Sequence, residues 1–202
     1  TMRGWKKNPQ KVLEFHNMVM AECLKCEPND AHKALVKLEE KYDVTVITQN
    51  IDNLHEKAGS TNVLHIHGNI SESKSSLNPK KTYPIVGEIK IGDKAEDGSQ
   101  LRHNTVLFEE NLPHNEFTKA TAAMENASIL IIVGSSLVVY PAAGLISHFN
   151  VYENMNDYKN QNLNPIYIVD PNDCNLAKAA GRVFIKEKAS IGVSKLVEDL
   201  MA

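Results

Sequence analysis

The sequence lacks the features that mark secreted, membrane-spanning and nucleic-acid-binding proteins. It has only three cysteines in 202 residues. An odd and widely spaced set does not make a disulfide framework, so we predict a protein of the reducing cytoplasm. No apolar run approaches the roughly 20 residues of a membrane-spanning helix, and no secretory signal is recognisable, so we expect no membrane partner. The formal net charge of −3 gives no electrostatic reason to expect a nucleic-acid partner.

What the sequence does contain is the alternation of strands and helices that is typical of an α/β protein. Hydrophobic residues make up 42% and charged residues 23% of the chain, which is ordinary for a globular domain. Apolar, β-branched runs that predict strands occupy residues 44–47, 129–133, 166–169 and 183–185. Helical patterns occupy residues 8–25, 30–41, 115–127, 141–150 and 173–180, and one more follows residue 190. This alternation predicts a doubly wound parallel sheet with right-handed crossovers.

Residues 69–104 interrupt the alternation with a stretch rich in serine, proline and glycine. We interpret this stretch as an inserted module. The chain then divides into a Rossmann-like domain, residues 1–68 and 105–202, and a small module, residues 69–104. Within the module we expect residues 71–76 to form a loop and the runs at 82–86 and 88–91 to pair as a hairpin.

Polar side chains follow the first apolar run, where a bound ligand would be met. In open α/β sheets, ligands bind beyond the carboxyl ends of the strands. Gln49, Asn50 and Asp52 come directly after this strand, and His65 and His67 follow farther along the chain. Together they supply amide, carboxylate and imidazole groups. The structural alternative is a capped turn between a strand and a helix, where Asn and Asp are common.

Several ordered segments resemble the signature motifs of the sirtuin family, whose members are NAD-dependent protein-lysine deacylases. The resemblance spans nearly the whole chain. It rests on residues 28–32 (PNDAH), 48–55 (TQNIDNLH), 58–59 (AG), 67–68 (HG), 101–110 (LRHNTVLFEE) and 134–142 (GSSLVVYPA). It implies a Rossmann-like, sirtuin-type fold with a small inserted module.

The resemblance also implies a reaction. An acyl group, acetyl foremost, would leave a protein lysine in exchange for the nicotinamide of NAD, giving O-acyl-ADP-ribose. His67 would be the general base, since imidazole titrates near neutral pH. Asn50 is the second implied catalytic residue, with an amide suited to ribose hydroxyls and an ordered water. We expect His65 to point to the opposite face of its strand from His67 and to serve as a packing or surface residue.

Further residues are assigned by the same resemblance to NAD and to the acylated protein or peptide substrate. Asp52 suits the nicotinamide carboxamide, because a carboxylate accepts from an NH₂ group. Asp170 suits the adenosine ribose as acidic residues do in dinucleotide-binding folds, whereas the family more often has Asn at this position. The small residues after the strand at 129–133 suit phosphate or ribose oxygens. The implied cofactor-binding set is Gln49, Ile51, Asp52, Gly134, Ser135, Ser136 and Asp170. The implied substrate walls are Val106 and Phe108 on one side and Val139 and Tyr140 on the other.

Three departures from the family pattern stand out. The sequence shows neither the family's amino-terminal strand nor its Gly-Ala-Gly-x-Ser phosphate loop, so we expect this part of the cofactor site to be missing. Residues 69–104 contain no cysteine, so we expect a module without the zinc that most sirtuins hold there. Glu109 stands where the family has glycine, and it adds bulk and charge where an acyl-lysine peptide should lie.

Three alternatives remain open at this point. One is a metal site built from His55, His65, His67 and Asp52, all of which have ligand chemistry. Another is ADP-ribosyl transfer or simple NAD hydrolysis on the same scaffold, which the change at Glu109 makes credible. The third is a catalytically incomplete binding module, which the missing phosphate loop favours.

Overall fold

Four strands of the parallel sheets form where the apolar runs predict them. A computed structural model describes residues 1–135, 139–149, 163–173 and 181–202. Strand β1 (Val46–Thr48) pairs in parallel with β2 (Val63–His65). A second parallel sheet has the order β6-β7-β8, formed by β6 (Leu130–Val133), β7 (Ile166–Val169) and β8 (Arg182–Ile185).

Helices connect and cover these strands, and the second and third helices begin with side-chain caps. Asn8 accepts from the amide of Lys11 at 3.0 Å at the start of the second helix. Asn29 and His32 form a capping box at the start of the third. The helices are α1 (Met2–Lys7), α2 (Pro9–Lys25), α3 (Asp30–Leu38), α4 (Leu54–Ala58), α5 (His114–Asn126), α6 (Ala189–Met201) and a 3₁₀ helix at Ala142–His148. None of the helices in the described ranges is long and apolar enough to cross a membrane.

The β6-β7-β8 sheet is covered on both faces, which confirms the doubly wound prediction. Ile166 and Ile168 of β7 pack into a core cluster with α5 and the 3₁₀ helix. Val169 of the same strand packs into a second cluster with α3 and α6. Successive strand residues point to opposite faces, so one strand supplies both cores.

The polar stretch before residue 82 is a strand, and the predicted hairpin was wrong. β3 (Gly68–Ser75), β4 (Thr82–Pro84) and β5 (Leu101–Thr105) form an antiparallel sheet in the order β4-β3-β5. The run at 82–86 therefore pairs with β3, while the run at 88–91 belongs to no strand. Alternation of apolar residues could not reveal β3, because its buried side chains include Ser73, Lys74 and Ser75.

A hydrogen-bond network around Ser75 connects the end of β3 to the loop before β5. The Ser75 hydroxyl lies 2.6 Å from Oδ2 of Asp97 and 2.7 Å from the hydroxyl of Ser99. It also accepts from the amides of Leu77 and Asn78 at 3.0 and 2.8 Å. The hydroxyl groups of Ser75 and Ser99 hold the pKa of Asp97 below its ordinary value, because they donate to its charged form.

A buried ionic cluster lies between β3, β5 and the segment that follows β5. Lys74 and Arg102 are cross-strand partners, and the carboxylate of Glu110 contacts both. The side chains of both cations are 4% exposed. Burial, together with the neighbouring Arg102 charge, lowers the pKa of Lys74 to about 8. Glu110 also accepts from the amide of Leu107 at 3.0 Å, so it ties the cluster to the segment after β5.

Helix α2 packs against the inserted module. The Asn17 side chain exchanges two hydrogen bonds with the backbone of Ile89, both at 3.0 Å. Trp5, Leu13, Ile89 and Leu107 form a small core around this contact. A separate bond, from the amide of Ile70 in β3 to the carbonyl of Ile51 at 2.7 Å, places the start of β3 beside the end of β1, where the candidate site lies.

Candidate functional site

The two polar segments identified in the sequence lie side by side in the structure. Thr48, the last residue of β1, is in register with His65 at the end of β2. Beyond the strands, the amide of Ile66 donates to the carbonyl of Thr48 at 3.2 Å, and that of Ile70 donates to the carbonyl of Ile51 at 2.7 Å. These bonds hold residues 49–52 against residues 65–68.

His67 has one ring nitrogen fixed and the other available. Its Nδ1 lies 3.0 Å from the carbonyl oxygen of Gln49. A carbonyl oxygen only accepts, so Nδ1 carries the hydrogen and the neutral ring has its lone pair on Nε2. No hydrogen bond from the described residues reaches Nε2. The ring is half-buried, and it is oriented as a proton acceptor requires.

Contrary to the expectation from the sequence, His65 and His67 do not share a strand: β2 ends at His65, and His67 lies in the turn before β3. Strand alternation therefore does not decide how the two rings are oriented, and both rings reach carbonyl groups of the segment after β1. His65 Nδ1 lies 3.4 Å from the carbonyl of Asn50, and its Nε2 lies 2.6 Å from Oε1 of Glu56 on α4. Both ring nitrogens of His65 are therefore engaged, which gives it a structural role beside the site.

Asp52 uses one carboxylate oxygen for the backbone and keeps the other available. Its Oδ1 accepts from the amide of Leu54 at 3.1 Å, which makes an Asx turn before α4, and the N-cap residue Asn53 makes no side-chain cap of its own. The described residues donate no hydrogen bond to Oδ2. The rings of His32 and His55 lie nearby with centroids 4.7 Å apart. Burial lowers the pKa of both histidines, and the Asp52 charge opposes that shift.

A third segment reaches the site from the end of β6. The Gln49 amide donates to the hydroxyl of Ser135 at 3.4 Å. Gly134 has φ +55°, and a Cβ built on it would meet no atom of the described residues within 4 Å. Ser136 lies outside the described residues. Asp170 follows β7 and accepts from the amide of Asn172 at 2.7 Å.

Of the two predicted substrate walls, the one at Val106 and Phe108 is hydrogen-bonded to His67 in the described structure and the one at Val139 and Tyr140 is not. The amide of Val106 donates to the carbonyl of His67 at 2.9 Å, so this wall adjoins the base directly. Phe108 is 77% exposed and Tyr140 76% exposed, which is unusual for large aromatic side chains. Val139 is 44% exposed. In the described part of the chain, no hydrogen bond connects Asp170, Val139 or Tyr140 to the cluster around His67.

Three residues that support the site were not predicted from the sequence. Thr48 is buried and accepts from the amide of Asn50 at 3.0 Å, so it fixes the turn that presents Asn50. Glu56 holds His65, as described above. Arg3 contacts Glu109, which the sequence had marked as unusual. The contact between Thr48 and Asn50 could have been predicted, because a threonine at the end of a strand often caps the turn that follows. The contact between Arg3 and Glu109 could not, because the two residues lie far apart in the chain.

The metal alternative finds no ligand set in the described ranges. They contain no group of three or more His, Cys, Asp and Glu side chains that could hold a metal ion. His65 is engaged by Glu56 and a carbonyl, and His67 by the carbonyl of Gln49.

Comparison with known proteins identifies the family. The sequence pattern described as the Sir2 family matches residues 2–141. A protein of Helicobacter pylori named NAD-dependent protein deacylase is 46% identical over 147 residues, which are 73% of this chain and 62% of that protein. One of the same name from Bacteroides thetaiotaomicron is 37% identical over 207 residues, covering all of this chain and 83% of the relative. The chain thus spans less than two thirds of the first of these relatives.

Solved structures agree with the sequence comparison over almost the whole chain. A Sir2 homologue in complex with NAD superposes with a TM-score of 0.82 at 29% identity, covering 100% of this chain and 75% of the other. A Sir2 protein bound to an acetylated peptide gives a TM-score of 0.77 at 28% identity, covering 99% and 82%. The chain belongs to the Sir2 family.

Proposed function

We propose that this protein is an NAD-dependent protein-lysine deacylase that removes acetyl groups foremost. The observation that carries the proposal is His67, whose Nδ1–H is held by the carbonyl of Gln49 while Nε2 is free to take a proton. The names of the Helicobacter and Bacteroides relatives support the same activity. Sir2 proteins have also been solved with acetylated and propionylated peptides, which supports an acylated protein or peptide as the partner.

The residues around His67 fit the chemistry of NAD. Asp52 Oδ2 is available to accept from the carboxamide of nicotinamide, and Gln49 and Asn50 offer amide groups to ribose hydroxyls. The space beside the Gly134 backbone and the hydroxyl of Ser135 suit phosphate or ribose oxygens. Ile51 and Ser136 are the other proposed cofactor-binding residues of this region. Asp170 would accept from the hydroxyls of the adenosine ribose. Bound NAD would supply a ribose carbon activated by a leaving nicotinamide.

His67 then acts as the general base. Its Nε2 takes the proton of a ribose hydroxyl group. The positive charge that forms on the ring is stabilised through Nδ1–H by the carbonyl of Gln49. The backbone of Gln49 therefore orients and stabilises the base. Its side chain, hydrogen-bonded to Ser135, faces a different partner. Thr48 holds Asn50 in the turn beside the base.

The acylated peptide would lie as an added strand between the walls at Val106 and Phe108 and at Val139 and Tyr140. Exposed aromatic side chains at Phe108 and Tyr140 suit the aliphatic part of an acyl-lysine.

We further propose that residues 69–104 form a separate small module. The antiparallel partners β3 and β5 begin and end next to these limits, which supports it. The small number of cysteines supports the cytoplasm as the place of action.

The test incubates the protein with NAD and an acetyl-lysine peptide and follows both products by mass spectrometry. Deacylated peptide and nicotinamide should appear in equal amounts. The Asp52→Asn variant should lose much of the exchange of labelled nicotinamide into NAD, because its amide would present a donor where the carboxylate accepts. The Asp43→Asn variant, changed at an exposed carboxylate, is the matched control. Exchange that is equal in both variants would remove Asp52 from the nicotinamide pocket.

The second candidate is NAD hydrolysis or ADP-ribosyl transfer, which the replacement of glycine by Glu109 favours. Nicotinamide release that proceeds at the same rate without acylated peptide would select this reaction over deacylation. Release that requires the acyl group would select deacylation.

A further inference from the structure

Glu109 adopts a backbone conformation that side chains normally avoid. Its φ is +76°, and among the described residues it is the only non-glycine residue with a positive φ. The left-handed region is unfavourable for an ordinary residue, whereas glycine adopts it without side-chain strain. Such a conformation persists only where the surroundings hold it in place.

Helix α1 supplies the contacts that hold Glu109. The Nε of Arg3 donates to Oε1 of Glu109 at 2.6 Å, and the backbone amide of Arg3 donates to Oε2 at 3.2 Å. The preceding amide, of Met2, donates to the carbonyl of Phe108 at 3.0 Å. The negative charge of Glu109 thus lies at the amino-terminal end of α1, where unpaired amides favour an anion. Both of its carboxylate oxygens are engaged by one residue.

These contacts act on the segment that forms the proposed peptide wall. Phe108 immediately precedes Glu109, and Val106 is bonded to the carbonyl of His67. On the other side of Glu109, Glu110 binds the amide of Leu107 and belongs to the buried ionic cluster. The wall is therefore fixed at both ends by buried or backbone contacts, and its middle is fixed by Arg3.

We propose that the Arg3–Glu109 ion pair is a latch that holds the peptide wall in its binding conformation, with Arg3 as a positioning residue for substrate. The latch does in this chain what glycine does elsewhere, since glycine adopts positive φ without side-chain strain. The inference rests on the proposed deacylase function. Without the latch, the wall visits conformations that do not bind peptide, and the apparent affinity falls by the fraction of competent molecules.

The test is a double-mutant cycle read by the KM of the acetyl-lysine peptide. Arg3→Ala should raise this KM about fivefold, the population change expected for about 1 kcal/mol of released strain. The kcat and the KM of NAD should stay within twofold. In the Glu109→Gly background, the same Arg3→Ala change should alter the peptide KM less than twofold, because glycine needs no latch. Lys81→Ala breaks a comparably short surface pair with Glu96 at 2.6 Å and is the matched control.

An equal effect of Arg3→Ala in both backgrounds, or none in either, would overturn the latch. A protein that neither binds a fluorescent acetyl-lysine peptide nor deacylates it would instead overturn the proposed function. In that case, hydrogen exchange still tests whether Arg3 orders the segment. Exchange at the amides of residues 107–110 should be faster in Arg3→Ala than in Lys81→Ala, and equal rates would reject the latch itself.

Discussion

The candidate site and the inserted module use polar side chains in opposite ways. In the site, Asp52 and His67 each give one atom to the backbone and keep another available. In the module, the hydroxyl of Ser75 has four partners within 3.0 Å. Glu110, which follows the module in the chain, likewise contacts the module's two buried cations and an amide. Chemistry requires unused hydrogen-bonding capacity, whereas stability in a buried setting requires that the capacity be used.

The comparison predicts that changes in the site remove activity and changes in the module remove stability. Two side chains of the module depart from this rule in the described structure. Both ring nitrogens of His103 and the Nε of Arg102 are buried without a hydrogen-bond partner, and the histidine can also titrate.

The largest expected effect is on activity. His67→Ala should lower acyl transfer about 100-fold or more, because general-base catalysis contributes about 10²–10⁴-fold. The free energy of unfolding should change little, since the half-buried ring makes a single backbone hydrogen bond. Steady-state kinetics and urea denaturation measure the two quantities. His114→Ala, at an exposed histidine, is the control, and unchanged turnover in His67→Ala would remove His67 from the mechanism.

The next effect is on stability and compares two adjacent glutamates. Glu110→Gln should lower the free energy of unfolding by about 3 kcal/mol, because it leaves Arg102 and Lys74 buried without their carboxylate. Glu109→Gln should lower it by less than about 1 kcal/mol, because that ion pair is exposed. Urea denaturation of both variants at neutral pH gives the comparison. Equal losses would mean that burial does not separate the roles of the two glutamates.

The same contrast explains how much could be predicted from the sequence. The strands at 129–133 and 166–169 were predictable because sheets covered on both faces select apolar residues, and the structure places them at Leu130–Val133 and Ile166–Val169. The strand β3 was not, because its buried positions carry Ser73, Lys74 and Ser75, whose partners come from β5 and the loop before it. Polar residues are buried only with such partners, and a local pattern does not reveal them.

The site shows the same limit. The turn at residues 49–52 and the position of His67 followed from strand ends and from the family motifs. The partner of Glu109 did not, since Arg3 lies 106 residues away in the chain. The prediction for His65 assumed that it shares a strand with His67, whereas β2 ends at His65, and its bond to Glu56 depends on where α4 packs. Local sequence thus identified the reacting groups, and tertiary contacts decided their orientation.

The histidine exception predicts a loss of stability in mild acid. Burial lowers the pKa of His103 to about 4, and burial and the Arg102 charge lower that of His16 to about 4. The unfolded chain binds these protons from about pH 6.5 downward, so stability falls between pH 6.5 and 4 and is constant with respect to these groups below that. His103→Leu should remove about 2 kcal/mol of this loss, measured as the difference in unfolding free energy between pH 7 and 4.5.

That variant also tests whether the exception has a structural purpose. Leucine leaves no unsatisfied nitrogen in the site of His103, so the unfolding free energy at pH 7 should be equal to or higher than that of the wild type. His148→Leu, at an exposed histidine, is the control for the added apolar residue. A variant that keeps the full acid sensitivity would show that the loss arises elsewhere in the chain.

The smallest expected effect is local and lies in the hydrogen-bond network around Ser75. Asp97→Asn keeps the size of the side chain and removes the charge that Ser75 and Ser99 stabilise. The amides of Leu77 and Asn78, which donate to the Ser75 hydroxyl, should then exchange hydrogen faster, while amides around His67 should not change. Because the pKa of Asp97 is lowered in the folded state, the wild type should show the same loosening only as the pH falls below the ordinary value of a carboxyl. Faster exchange at both places would mean that the network supports the site as well as the module, and the two regions would then not be independent.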